Sequence, residues 1–188
     1  HLPGKTDNDV VYFRFKNKNL NNFPQNLKKI FTHLDKIYFV QENISTVTRS
    51  DLQPFGSQLK DFYFHQNKIE VIPADLFEDT RNLEMIYLSN NKITHVGRGA
   101  FDHLQKLKDL HFDGNPCYSG HASKRADVLK LIEQIKAKCT NEEAFARYKN
   151  QFTTTTEVPT TTTKNFLEEL NTCDKDKNIK ELEVEELK

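Results

Sequence analysis

A block of sequence that returns every 24 residues limits what this chain can fold into. LKDFYFHQNKIEVI begins at Leu59, LEMIYLSNNKITHV at Leu83 and LKDLHFDGNPC at Leu107. Looser copies, LDKIYFVQENISTV and VVYFRFKNKNLNNF, begin at Leu34 and Val10, so five copies follow one another at spacings of 24, 25, 24 and 24 residues. Such a period marks a solenoid: one repeat cannot bury its own apolar face, and stacking on its neighbours does. Each block alternates apolar and polar residues, which predicts a short strand with one face inward. The inward pairs are Phe13 and Phe15, Ile37 and Phe39, Phe62 and Phe64, Ile86 and Leu88, and Leu110 and Phe112. The return segments add Phe23, Val47, Ile72 and Val96, with Phe77 and Phe101 on the far side.

The pattern L-x-x-L-x-L-x-x-N-x-L, spread over residues 10 to 117, resembles that of leucine-rich repeats. The resemblance implies an α/β solenoid: a horseshoe of about five coils, with a parallel β-sheet on its concave side and a helical C-terminal cap. Asn67, Asn91 and Asn115 recur at one place in three successive coils. An amide both donates and accepts, so a buried column of asparagines can satisfy turn backbone groups that no sheet ladder reaches. Lys18 and Glu42 stand there in the first two coils, and those turns are expected to be looser.

A solenoid needs its ends covered. Residues 1–33 read as a cap-like first coil and 34–116 as the repeats. Residues 117–140 read as a C-terminal cap helix whose apolar face is Val128, Leu129, Ile132 and Ile135. Cys117 replaces the last apolar residue of its coil and Cys139 ends the helix; a bridge between them would staple the helix over the open core. This resembles the two-cysteine caps of secreted insect leucine-rich-repeat proteins. Residues 141–164 read as a linker rich in threonine, either an O-glycosylated stalk or a bare tether. Residues 165–188 form a charged tail, helical or disordered, whose Cys173 could join two chains. The chain begins at His1 with no signal-like run and reads as a mature or trimmed product.

Charge narrows the partners. Lys and Arg number 27 against 27 Asp and Glu, a balance that disfavours nucleic acid and polybasic membrane contacts. No apolar run approaches the ~20 residues of a membrane span. The 3 cysteines form no paired motif, so neither a metal nor a cofactor is expected, despite 7 histidines. Asn43-Ile44-Ser45 is an N-glycosylation sequon, which fits an extracellular chain, as do a disulfide and a Thr-rich stalk.

The concave face is where the resemblance places ligands. Neighbouring strands lie about 4.8 Å apart, so equivalent positions form columns. The middle outward column is Arg14, Tyr38, Tyr63, Tyr87 and His111. The column before it is Tyr12, Lys36, Asp61, Met85 and Asp109, and the one after it Lys16, Val40, His65, Ser89 and Asp113. Tyrosine offers wide contact area with a polar tip and little rotamer entropy to lose. The expected ligand-binding residues are Arg14, Tyr38, Tyr63, His65, Met85, Tyr87, Asp109 and His111. His65 and His111 have aspartates nearby, but no serine or cysteine stands beside them in a nucleophile motif and no phosphate loop is present, so no enzyme is expected. The expected function is a secreted or surface recognition module for a protein or other macromolecule, with innate immunity as one setting. Secreted mosquito immune proteins, which this chain resembles in its order of parts, join such a horseshoe to cysteines and a coiled coil. The alternative is a structural matrix or surface protein carried on the Thr-rich stalk.

Overall fold

The computed structural model describes residues 12–16, 19–24 and 27–153. The Thr-rich stretch past Thr153, the charged tail with Cys173, and Lys18 lie outside the described residues. In chain order the elements are β1 (Tyr12–Lys16), α1 (Leu27–Ile30), β2 (Lys36–Val40), α2 (Arg49–Leu52), β3 (Asp61–Tyr63), β4 (Val71–Ile72), β5 (Met85–Tyr87), β6 (His95–Val96), β7 (Asp109–His111), β8 (His121–Ala122), α3 (Arg125–Lys138) and α4 (Glu142–Thr153). Strands β1, β2, β3, β5 and β7 pair in parallel, in that order, and β8 closes the sheet antiparallel to β7. The register runs Arg14, Tyr38, Tyr63, Tyr87, His111 across the five coils, as the repeat spacing requires. The one 25-residue spacing falls where α2 and a 3-10 segment, Gln53–Gln58, make the return of the second coil.

The expected inward residues are buried, apart from Phe15, which is half-buried against the core beside Phe13. Phenylalanines fill the interior in chains of ring contacts, Phe23 on Phe39 at 5.3 Å and Phe62 on Phe64 at 4.1 Å between centroids. Offset aromatic contacts of this kind add to simple burial.

Two columns of turn residues stitch the coils together. Asn67, Asn91 and Asn115 are buried. Asn91 Oδ1 accepts from Ile69 N at 3.1 Å, while its amide donates to the Phe64 and Leu88 carbonyls at 2.8 and 3.0 Å. Asn67 and Asn115 repeat the arrangement, so the amides and carbonyls alternate along the solenoid. Just before each asparagine the chain turns through the left-handed region, at Gln66, Asn90 and Gly114 with φ of 59°, 56° and 68°. Gln41, with φ 58°, makes the same turn before Glu42.

Glu42 corrects the expectation of a looser second turn. It is buried, and its Oε2 accepts from Leu20 N at 2.9 Å, the acceptor half of what asparagine does elsewhere. The glutamate side chain, one methylene longer than asparagine's, reaches the equivalent backbone donor.

At the C-terminal end of the sheet, α3 packs against β7 and β8. Cys117 and Cys139 are joined, with Cα atoms 5.0 Å apart. The buried face of α3 is Val128, Leu131, Ile132 and Ile135, whereas Leu129 is 47% exposed. Positions 128, 131, 132 and 135 follow helical spacing along one stripe, and position 129 is turned about 100° from its start. Arg125 Nη1 donates to the Leu104 and Leu107 carbonyls at 3.0 and 2.9 Å, tying the start of α3 to the last coil.

The span expected to open a Thr-rich linker instead begins with a helix. Asn141 Oδ1 accepts from Ala144 N at 2.9 Å and caps α4. The helix lays Ala144, Phe145 and Tyr148 on the convex side, against the small sheet of β4 and β6. Its apolar spacing of three and four residues is a helical signal hidden beside a low-complexity tract.

Candidate binding face on the concave sheet

Outward side chains of a parallel sheet stand in columns one strand apart, and planar rings at that spacing can lie against each other. The middle column does so without a break. Ring centroids are 4.2 Å apart for Tyr38 and Tyr63, 4.5 Å for Tyr63 and Tyr87, and 4.1 Å for Tyr87 and His111. Tyr12 meets Tyr38 edge-on at 6.1 Å at one end. At the other, His121 of β8 stacks on His111 at 5.2 Å. Six rings therefore form one ladder from the first coil to the cap. The rings of Tyr38, Tyr63, Tyr87 and His111 are half-buried.

The flanking columns hold the ladder. Lys36 pairs with the buried Asp61 at 3.0 Å, and Asp61 in turn raises the Lys36 ammonium above its ordinary pKa. Tyr63 donates its hydroxyl to the Met85 sulfur at 3.3 Å. Tyr87 donates to Asp109 Oδ2 at 2.9 Å. Burial pushes the hydroxyls of Tyr38, Tyr63 and Tyr87 above the ordinary tyrosine range, so all three stay protonated and able to donate throughout physiological pH.

Asp109 was expected to be a contact residue, and the structure corrects this. It is buried under the ladder, where Tyr87 holds Oδ2, and Ser123 Oγ at 2.9 Å and His111 Nε2 at 3.1 Å hold Oδ1. A buried carboxylate is tolerated only when it is hydrogen-bonded, and the Tyr87 and Ser123 hydroxyls bond one oxygen each, with the His111 ring nitrogen close to Oδ1. Asp109 therefore positions Tyr87 and His111. Arg14, Tyr38, Tyr63, His65, Met85, Tyr87 and His111 do lie together on the face, with His65 6.5 Å from the Tyr87 ring. Val40, aligned with them in the sequence, is buried.

His121 and Ser123 belong to the face and are invisible in the repeat. His121 lies ten residues past His111 on an antiparallel strand, outside the 24-residue register. Its Nδ1 sits 3.2 Å from Asp113 Oδ1. Ser123 donates its hydroxyl to Asp109 Oδ1, with His111 Nε2 3.1 Å from the same oxygen, so the hydroxyl is not handed to the imidazole as nucleophilic catalysis would need. Among the described residues no group of three or more His, Cys, Asp or Glu side chains could hold a metal ion.

Asn43 of the sequon is half-buried just past Glu42, its amide donating to Asn19 Oδ1 at 3.3 Å. It lies off the ring ladder, at the turn. Among the described residues no helix is long and apolar enough to cross a membrane.

Residues 57–116 match the family model described as leucine rich repeat. Over 56 residues the chain is 43% identical to leucine-rich repeat-containing G-protein coupled receptor 5 of Xenopus tropicalis, covering 30% of this chain and 6% of the receptor. It is 37% identical over 68 residues to keratocan of Mus musculus, covering 35% of this chain and 19% of that protein. The chain thus spans less than a fifth of either relative. The solved structure of the Toll–Spatzle complex of Drosophila superposes with a TM-score of 0.53 at 22% identity, over 58% of this chain and 15% of that one. The fold is a leucine-rich-repeat α/β solenoid.

Proposed function

We propose that this solenoid is an extracellular recognition module that binds a protein ligand across the ring ladder of its concave face. The observation that carries the reading is the unbroken run of ring contacts from Tyr12 to His121. A half-exposed aromatic column, pre-set by neighbours and by buried carboxylates, loses little entropy when a partner covers it. Stacking also selects the class of ligand. The ring faces are turned to one another, and the Tyr63 and Tyr87 hydroxyls are already bonded, so a ligand meets ring edges, the Met85 thioether and His65. Such an amphipathic ribbon suits a protein surface better than a sugar, which docks on open ring faces.

The extracellular setting is supported by the Cys117–Cys139 bridge, since disulfides persist in oxidising compartments. The Asn43 sequon supports it too, and we assign Asn43 as a glycan site and Cys173 as a link between chains. The resemblance to the frog receptor segment and to keratocan is consistent with this. Replacing Tyr38, Tyr63 and Tyr87 together by serine tests the reading. Binding to a ligand captured from extracellular fluid by the wild-type protein is expected to fall at least about a hundredfold, as for the loss of several hot-spot aromatics. Circular dichroism and the melting transition should still report a folded solenoid. Unchanged affinity in a folded triple variant overturns the assignment of the face.

A further inference from the structure

On the opposite side of the molecule from the ladder, β6 carries a histidine in an unusual place. His95 is only 6% exposed, and its ring lies under Phe145 of α4, 4.6 Å between centroids and 16° from parallel. Its Nδ1 is buried and meets no hydrogen-bond partner. The helix is otherwise tethered by a short hinge: Val96 N donates to the Cys139 carbonyl at 3.0 Å, and His95 bridges Thr140. Beyond that hinge, α4 faces the solenoid through Ala144, Phe145, Tyr148 and Gln151, a contact that borders an open cavity of about 50 Å³ lined also by Ser45, Thr46, Glu70 and Val71.

We propose that α4 is a proton-released latch, held on the convex sheet by neutral His95 and freed when that imidazole takes up a second proton. A protonated His95 would carry an N–H at Nδ1, a buried atom with no acceptor in reach. Opening the latch hydrates the ring and removes that cost. The surroundings weigh on both sides. Glu142 on α4 and a contact with the Asn141 backbone favour the charged form, and Lys149, whose ammonium is 4.5 Å from the Phe145 centroid, is a cation on the same ring. Glu70, beside β4, lines the cavity, and Asp51 and Asp75 act on Tyr148 further along the helix. Burial outweighs the favourable groups, so His95 sits below its ordinary value of 6.5 when the latch is closed. The closed state then binds fewer protons than the open one. Latch stability is full above the ordinary value and falls as pH drops below it. Imidazole is the side chain whose charge changes between pH 5 and 7, which makes His95 the operator of the latch.

Release would uncover β4 and β6 and change where the following chain leaves the solenoid. Hydrogen exchange of the α4 amides in the full chain, corrected for intrinsic rates, reads the latch directly. In the wild type, the opening equilibrium should rise up to about tenfold for each pH unit below 6.5. His95→Phe keeps an aromatic under Phe145 without a proton site, and its α4 protection should not change over that range. Phe145→Ala should lose protection at pH 7.5 without acid. The proposal is overturned if wild-type protection is flat with pH, if His95→Phe loses protection as the wild type does, or if Phe145→Ala stays protected.

Discussion

Two columns in this solenoid obey the same 24-residue period and do different work. The asparagine column is buried, and every amide is tied to backbone groups of its own coil and of the coil before it. The tyrosine column is half-exposed, and its members touch mostly one another. Periodicity alone therefore does not separate a stitch from an interface. What separates them is whether the polar atoms are used up inside the molecule, and that difference predicts which column is read by stability and which by binding.

The largest effect is expected at Asn91. Replacing it by alanine leaves the Ile69 N–H and the Phe64 and Leu88 carbonyls short of a partner in the interior. Each buried group left unpaired costs about 1–3 kcal/mol, and the total should be about 4 kcal/mol after partial relaxation. Chemical denaturation checks it. A loss below about 1 kcal/mol would mean that the amide column is replaceable by water and the comparison fails.

Removing the Cys117–Cys139 bridge by paired serine substitutions comes next, at about 3 kcal/mol for a closed loop of 22 residues. The cap also supplies His121 and Ser123 to the ladder, so binding should weaken along with stability. Equal affinity in the reduced cap would confine the ligand to the earlier coils.

Gly114→Ala sharpens the stitching side. Three other coils take the left-handed turn with Gln41, Gln66 and Asn90, so the conformation alone tolerates a side chain. At Gly114, however, an added Cβ would stand 2.4 Å from Asn90 Oδ1. The expected loss is about 2 kcal/mol, arising from that contact and from a φ of 68°. Thermal melting measures it. Asn90→Ala combined with Gly114→Ala should recover part of the loss, and failure to do so would place the strain in the backbone.

Much of this was legible in the residues. The register of the sheet, the buried phenylalanines and the alignment of Tyr38, Tyr63 and Tyr87 all follow from one period, because strand spacing turns a sequence interval into a neighbour in space. The period could not reveal what breaks it. His121 joins the ladder through an antiparallel strand. Glu42 substitutes for asparagine by reach rather than by type, and α4 stands beside a threonine tract that hides its helical spacing. Asp109 looked like a contact because strand alternation assigns a face but not a depth; like Asp61 in the same column it is buried, and one of its partners, Ser123, lies beyond the repeats.

The smallest expected effect on stability discriminates best between the two columns. Tyr87→Phe removes one hydroxyl from Asp109 Oδ2 while Ser123 and His111 still hold Oδ1. Loss of a hydrogen bond to a carboxylate costs about 1–2 kcal/mol, and ring stacking on Tyr63 and His111 is retained. If the hydroxyl serves the interior and the ring edge serves the ligand, Tyr87→Phe should bind within about threefold of the wild type, while Tyr87→Ser loses at least about tenfold. Calorimetric titration of the two variants decides the point. Equal losses would mean that the Tyr87 hydroxyl itself contacts the ligand and that its bond to Asp109 is exchanged on binding. Losses in neither would move Tyr87 from the interface to the stitching column, and the distinction between the two columns would then begin at Tyr63.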